Sequence, residues 1–382
     1  MPGERSVALD DDLAPAALVP DVRRIAVLRA NGIGDYITAE PALAALRAAY
    51  PDAEITLLGA THHRPLVEGR PGPCDRFVEV PLMPGVRAGN GPDATSEQVG
   101  SFLGAARAYG YDLGVQLHGG GRFSNPLVRQ LGARVTAGAA TPDAEPLDRV
   151  VPYAFNQHEI LRWLDVAAAC GAPAVRRRPA LAVTDAELAE ADAVLARAAP
   201  DDGRPLVAVH PGATDPRRRW PIERHMAVAA SLPAARVVLL GGPDEAPLTA
   251  AAREAAAGLG LEVADLAGTT GLGGLLGLLA RADLFLGNDS GPRHLAEAVG
   301  APTVAVFTNA NLADVAPLSR VWHRVAVSWS SRCAVCDAPV QQQCGHDATV
   351  LGDVGVDEVS GLAGEIFAQR PPPALFRRSS AA

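Results

Sequence analysis

The sequence predicts an α/β protein of two Rossmann-like, doubly wound domains facing a central cleft. Three observations carry that expectation. Near-continuous Val/Leu/Ile runs of strand length alternate with Ala/Leu-rich helical stretches, the pattern of parallel sheets buried on both faces. The alternation runs once to about residue 180 and starts afresh with a strand at 205. Glycine- and proline-rich loops carrying charged and hydroxyl side chains follow directly on the strands, where open α/β sheets hold ligands.

In chain order, residues 1–20 read as a disordered tail. The first domain, 21–182, has strand candidates RIAVLR (24–29), EITLLG (54–59), YDLGVQLH (111–118) and RVTAG (134–138). At 184–187 TDAE forms a capping box, with Thr184 as cap and Glu187 three residues on, so a helix opens the second domain, 183–352. Its strand candidates are PLVAVH (205–210), RVVLLG (236–241), DLFLGN (283–288) and TVAVF (303–307). The stretch 268–283 reads as a packing helix whose opening GTTGL has the option of lining a base pocket. A final helix at 353–370 has the option of packing back on the N-terminal domain, and 371–382 reads as a second disordered tail.

Bulk properties exclude several function classes. There are 43 acidic against 34 basic side chains, a formal charge of −9, which argues against a general nucleic-acid binder. No run approaches eighteen apolar residues, so no membrane-spanning helix is expected. The N-terminus carries an acidic Asp-Asp-Asp where a signal peptide needs an apolar core. Five cysteines in a long chain do not make a disulfide framework, so a reducing cytoplasm is the default. Peripheral contact with the inner membrane surface stays compatible with all of this.

The stretch RANGIGDYITAEPAL (29–43) looks at first like a dinucleotide fingerprint. Gly32 and Gly34 lack the third glycine, and no acidic residue ends the second strand to hold a ribose. Asp35 would also repel a pyrophosphate at the helix start, because that end of the dipole is already supplied with an anion. Asp35 therefore reads either as a helix cap or as a catalytic carboxylate, with the two glycines clearing space for an approaching group. In HPGATDPRRRWP (210–221) a tight loop offers the Thr214 hydroxyl and three arginines, which cannot all point inward. Arg218 is the first candidate for a phosphate fork. In VVLLGGPDEAP (237–247), Asp244 and Glu245 are placed to accept ribose hydroxyls. In GNDSGPRHLAEAVG (287–300), Ser290 and Gly291 offer an anion site at a helix N-terminus. Asp289 reads as a cap or an acceptor of ligand hydroxyls, and His294 lies one turn into that helix.

These stretches, with YDLGVQLHGGGRFS (111–124) and APTVAVF (301–307), resemble glycosyltransferase family 9, the ADP-heptose:lipopolysaccharide heptosyltransferases, in family order over most of residues 24–310. The resemblance implies the GT-B fold, with the acceptor on the N-terminal domain and a nucleotide sugar on the C-terminal one. It implies transfer of a sugar, heptose by analogy, from an ADP-linked donor to a hydroxyl of a glycan or glycoside, with inversion and with Asp35 as general base. Thr214, Arg218, Ser290 and Gly291 then bind the donor phosphates, and Glu245, Asp289 and His294 its sugar and nucleoside. Gly32, Gly34, His118 and Arg122 fall on the acceptor side. Family members commonly carry Lys at the position of Arg218, Gln-Gly where His118 and Gly119 stand, and Asp where Gln116 stands. No D-x-D motif lies outside the acidic tail, so no cofactor and a metal-independent reaction are expected. A non-catalytic sugar-nucleotide or glycan-binding protein, and a GT-B sugar-nucleotide epimerase, are the alternatives.

A cysteine-bearing segment before the final helix, RCAVCDAPVQQQCGHD (332–347), also resembles the family, and the resemblance places no catalytic metal there. Cys333, Cys336, Cys344 and His346 form a C-x2-C-x7-C-x-H array at zinc-like spacing. A structural zinc and simply reduced thiols both fit it.

Overall fold

A computed structural model describes residues 16–89, 91–340, 342 and 344–369. The expected tails at 1–15 and 371–382 lie outside the described residues. Residues 16–20, assigned to the tail from sequence, instead lie on the N-terminal domain. Val19 is buried, its N–H donates to the Tyr50 hydroxyl at 3.0 Å, and Ala16 N–H donates to Ala168 O at 3.2 Å. Gly171, at φ +80°, makes room for this pass, since a Cβ there would stand 2.7 Å from the Leu18 backbone.

The N-terminal domain runs β1 (Arg24–Leu28), α1 (Ile33–Ala49), β2 (Glu54–Gly59), α2 (Arg64–Val67), β3 (Arg76–Glu79), α3 (Ser96–Tyr109), β4 (Leu113–Gln116), α4 (Ser124–Gln130), β5 (Val135–Ala140), β6 (Arg149–Pro152) and α5 (Glu159–Ala169). The C-terminal domain runs α6 (Asp185–Ala198), β7 (Leu206–His210), α7 (Ile222–Ser231), β8 (Arg236–Leu239), α8 (Ala246–Gly258), β9 (Val263–Asp265), α9 (Leu272–Arg281), β10 (Leu284–Asn288), α10 (Gly291–Ala298), β11 (Thr303–Thr308), α11 (Asn309–Val315), β12 (His323–Ser328) and α12 (Val356–Gln369).

Each domain holds a six-stranded sheet, β3-β2-β1-β4-β5-β6 and β12-β11-β10-β7-β8-β9, and every strand pair is parallel. Both are the doubly wound order, which reverses between the first and fourth strands and opens a crevice there. That reversal lies between β1 and β4 in one domain and between β7 and β10 in the other. The alternation of side chains explains the continuous apolar runs. Ile25 and Val27 enter the core under α1 and α5, while Ala26 and Leu28 enter a second core with Leu103 and Leu127. In β7, Leu206 and Ala208 pack on one face and Val207 and Val209 on the other. Each such fully buried Val or Leu contributes about 1.5–3 kcal/mol.

Helix α9 packs along α6, as expected of a packing helix. Helix α12 does not return to the N-terminal domain. It lies on α7 and on β10, β11 and β12, and Val359, Ala363, Ile366 and Phe367 close the C-terminal core with Trp220 and Met226. The domains meet where α1 packs against α10, with Leu181 N–H donating to Ala298 O at 2.9 Å and Arg70 reaching Ala182 O and Glu187.

Candidate functional site

The N-terminal half of the site follows β1. Gly32, in extended backbone, is the N-cap of α1, and Asp35 sits at the third helical position. One Asp35 oxygen accepts from Gly32 N–H at 2.8 Å, so the carboxylate reaches back to the N-cap from the third position and is not itself the N-cap residue. The other faces the Arg29 guanidinium at 3.1 Å, and the side chain keeps 39% of its surface open to the cleft. Arg29 is buried at the end of β1 and fully engaged. It donates to the carbonyls of Asp35 and Leu117, each at 2.8 Å, and to Glu159 at 2.5 Å, with its plane over the Trp163 ring. Glu159 opens α5 and also accepts from Thr38, Arg162 and Trp163.

This arrangement sets the charges. Burial raises the Asp35 pKa above the ordinary carboxylate value. Arg29 opposes the rise, while the negative charges of Glu159 and Asp289 add to it. Burial also pushes Glu159 upward, but Arg29, Arg162 and the Trp163 N–H outweigh it and hold Glu159 below its usual range. The turn itself is pinned by histidines. His62 Nε2 lies 2.9 Å from Asn31 O and His63 Nε2 lies 3.1 Å from Gly32 O. His118 Nδ1 accepts from Ala30 N–H at 3.2 Å. Burial lowers His63 and His118 to about 3, so both are neutral at ordinary pH.

The C-terminal half follows β7 and β10. Asn288, fully buried at the end of β10, fastens the 211–219 loop: its amide donates to Pro211 O at 2.8 Å and its carbonyl accepts from Trp220 N–H at 3.0 Å. His210 Nε2 meets Glu245 at 3.1 Å, and Glu245 also accepts from Gly242 N–H at 2.9 Å. Gly212 is required here, because a Cβ would stand 1.8 Å from a Glu245 oxygen. Burial pushes Glu245 upward, but His210 and the Gly242 N–H bring it below its usual value. Ser290, not Asp289, occupies the N-cap of α10, and its hydroxyl lies 3.4 Å from His210 Nδ1. Asp289 accepts from Asn311 at 2.8 Å, with Arg218 at 3.6 Å and Arg293 at 3.5 Å. His294, buried with the Arg293 guanidinium against its ring, lies 3.7 Å from Asp289. Burial and Arg293 hold it neutral, well below its usual pKa.

The two halves face each other directly. The space beside Gly34 is filled by the His294 ring, Gly291 faces Ile33, and the Asp289 charge is felt at Asp35. On the flank, His158 Nε2 reaches Ala316 O across the domains at 2.7 Å.

The three arginines part company. Arg217 turns inward to Asp215, Val340 O and Cys344; Arg219 bonds Ala213 O; Arg218 stays a quarter exposed beside Asp289. Thr214 is exposed on the same loop. Arg122 stands out in solvent beside Asp143. Sequence reasoning missed Arg29, Glu159, His210 and Arg293. Arg29 and His210 each directly follow an apolar strand run, which was a usable signal. Glu159 sits in an ordinary amphipathic helix and carried none, while Arg293 lies inside the GNDSGPRHLAEAVG stretch, where attention went to its neighbour His294.

A model of glycosyltransferase family 9 (heptosyltransferase) matches residues 100–341. Lipopolysaccharide heptosyltransferase 3 of Escherichia coli is 28% identical over 286 residues, 72% of this chain and 80% of that protein. The glycosyl transferase family 9 structure from Veillonella parvula superposes with a TM-score of 0.74 at 20% identity, covering 92% of this chain and 99% of the other. The E. coli ADP-heptose lps heptosyltransferase II does so with a TM-score of 0.68 at 20% identity, covering 91% and 99%. At these identities the two structures speak for the fold, and the paired doubly wound domains are those of the GT-B architecture. The chain belongs to glycosyltransferase family 9 and is a glycosyltransferase of the heptosyltransferase type.

Proposed function

We propose that this enzyme moves heptose from an ADP-linked donor, held by the C-terminal domain, to a hydroxyl of a glycan or glycoside, with inversion. The donor class is carried over from the name of heptosyltransferase II. In the proposed step the acceptor oxygen attacks the anomeric carbon from the N-terminal side and Asp35 takes its proton. The bond from that carbon to the diphosphate breaks on the opposite face, and ADP leaves. Charge grows on the leaving phosphate, where Arg218, the Thr214 hydroxyl and the N–H groups of Ser290 and Gly291 stabilise it most in the transition state. Glu245 and Asp289 accept donor hydroxyls, and His294 lines the donor side as a neutral ring. Gly32, Gly34, His118 and Arg122 border the acceptor. Among the described residues no helix is long and apolar enough to cross a membrane. We place the reaction in the cytoplasm, with peripheral contact at the inner membrane surface where the acceptor is a lipid-linked glycan.

The observation that carries the reading is the state of Asp35. A helix-end carboxylate needs no opening to the cleft, yet Asp35 keeps 39% of its side chain exposed at the domain seam, and burial, opposed by Arg29, shifts its pKa upward, which strengthens it as a base. Its remaining open surface gives an acceptor access. The test is Asp35→Asn, since the Asn side-chain oxygen can still accept from Gly32 N–H but takes no proton. ADP release in the presence of ADP-heptose and acceptor should fall by about 100-fold or more, with ADP-heptose affinity retained. Turnover near that of the wild type would overturn the base assignment, and loss of donor binding alone would point to a merely structural role.

A further inference from the structure

Away from the cleft, three thiols and an imidazole converge in a segment to which the transfer reaction gives no role. The ligand atoms of Cys333, Cys336, Cys344 and His346 all lie within 4.8 Å of one another, with Cys333 Sγ and His346 Nδ1 3.7 Å apart. Sulfurs at two corners of a tetrahedral zinc site stand about 3.8 Å apart, from a Zn–S distance of about 2.3 Å. The four donors therefore need to draw in by no more than about 1 Å.

The backbone around them has the form of a metal-binding knuckle. Cys333 N–H donates to Ala338 O at 2.8 Å and Asp337 N–H to Cys333 O at 2.9 Å, closing the C-x2-C turn. Asp337 takes the left-handed conformation, φ 59°, that this turn requires, and Gly345 takes it between the last two donors. From outside the turn, Arg217 Nη1 donates to Cys344 Sγ at 3.2 Å. Such second-sphere donors orient ligand sulfurs.

We propose that Cys333, Cys336, Cys344 and His346 bind one zinc ion, and that this site clamps the 211–219 loop from behind. Three thiolates and one nitrogen in tetrahedral reach suit zinc. Three thiolates around a divalent ion leave an excess of one negative charge. The buried Arg217, already paired with Asp215 at 2.7 Å, adds an N–H donor 3.2 Å from Cys344 Sγ and another 2.9 Å from Val340 O, so it holds the site by hydrogen bonds. The residues following the donors grip the same loop. Val350 N–H donates to Arg217 O at 2.9 Å, and the Thr349 hydroxyl to Arg219 O at 2.6 Å. Arg218 lies between these two held residues, so the metal site fixes the backbone that presents it. Only the consequence for donor affinity rests on the proposed donor role of this loop.

The test uses the full chain purified in reducing, chelator-free buffer. Elemental analysis should find one zinc per chain, lost in Cys336→Ser and in Cys344→Ser. Removing zinc from the wild type should speed amide hydrogen exchange in residues 213–219 and weaken ADP binding at least tenfold, with zinc but not magnesium restoring both. A wild-type chain without stoichiometric metal, or with a disulfide among the three cysteines, overturns the site whatever the variants do. One iron per chain overturns the zinc assignment. Unchanged exchange at 213–219 on zinc removal overturns the clamp. Faster exchange with no ADP binding in either state leaves the clamp standing and counts against the donor reading instead.

Discussion

Gly34 of α1 and His294 of α10 touch across the domain seam: a Cβ on Gly34 would stand 2.7 Å from the ring Cδ2 and 3.1 Å from Nε2. The ring has little freedom to yield, being buried between the Arg293 guanidinium and Asp289. Helix propensity alone favours alanine over glycine by about 1 kcal/mol. In Gly34→Ala the contact should win, moving α1 off α10 and Asp35 away from the C-terminal half. We expect kcat/KM to fall between about ten- and a hundredfold, with the helical signal unchanged and a larger radius of gyration in solution scattering. A more heat-stable variant with wild-type turnover would show that the ring gives way.

Glu159 acts on Asp35 through Arg29. Replacing it with Gln removes a negative charge that raises Asp35 and leaves the Arg29 charge facing Asp35 alone. Both changes lower the Asp35 pKa. Activity needs Asp35 ionised, so the acid limb of kcat/KM should move to lower pH, while the plateau falls because the base is weaker. A pH–rate profile of Glu159→Gln measures both at once. A limb that stays in place, or moves upward, would mean that Glu159 only packs α5 against α1.

Which parts of this could be seen in the sequence follows from where each strand sits. The eight strands that read as apolar runs are the inner ones, covered on both faces. The four that did not, β3, β6, β9 and β12, are all sheet edges. RVVP of β6 alternates half-buried with exposed residues, and the three residues of β9 are only half-buried, so neither leaves a continuous signal. The turns of the candidate site were legible because Gly and Pro punctuate the chain right after inner strands. The charge network was not. Arg29 and Glu159 are 130 residues apart in the chain, and their pairing exists only once α5 packs on α1. The same limit applies to Gly34: its sequence shows that space is needed there, but not that a histidine from the other domain fills it.

The last expectation concerns acid stability. His225 is fully buried in α7, its ring edge-on to Trp220 at 5.0 Å, with Nδ1 3.3 Å from Pro221 O and Nε2 without a hydrogen-bond partner among the described residues. Burial lowers it to about 4. An unfolded histidine titrates near 6.5, so between those values the unfolded chain binds a proton that the fold refuses. Stability from this group is intact above pH 6.5 and is lost as the pH falls toward 4. At pH 5 the loss comes to about 2 kcal/mol. His225→Phe keeps a ring against Trp220 and removes the titration, while His63, His118 and His323 respond to pH alike in both proteins and cancel. Urea unfolding at pH 7 and pH 5 should therefore show the wild type losing about 2 kcal/mol more than the variant. Equal losses would mean that the His225 ring takes up its proton within the folded state.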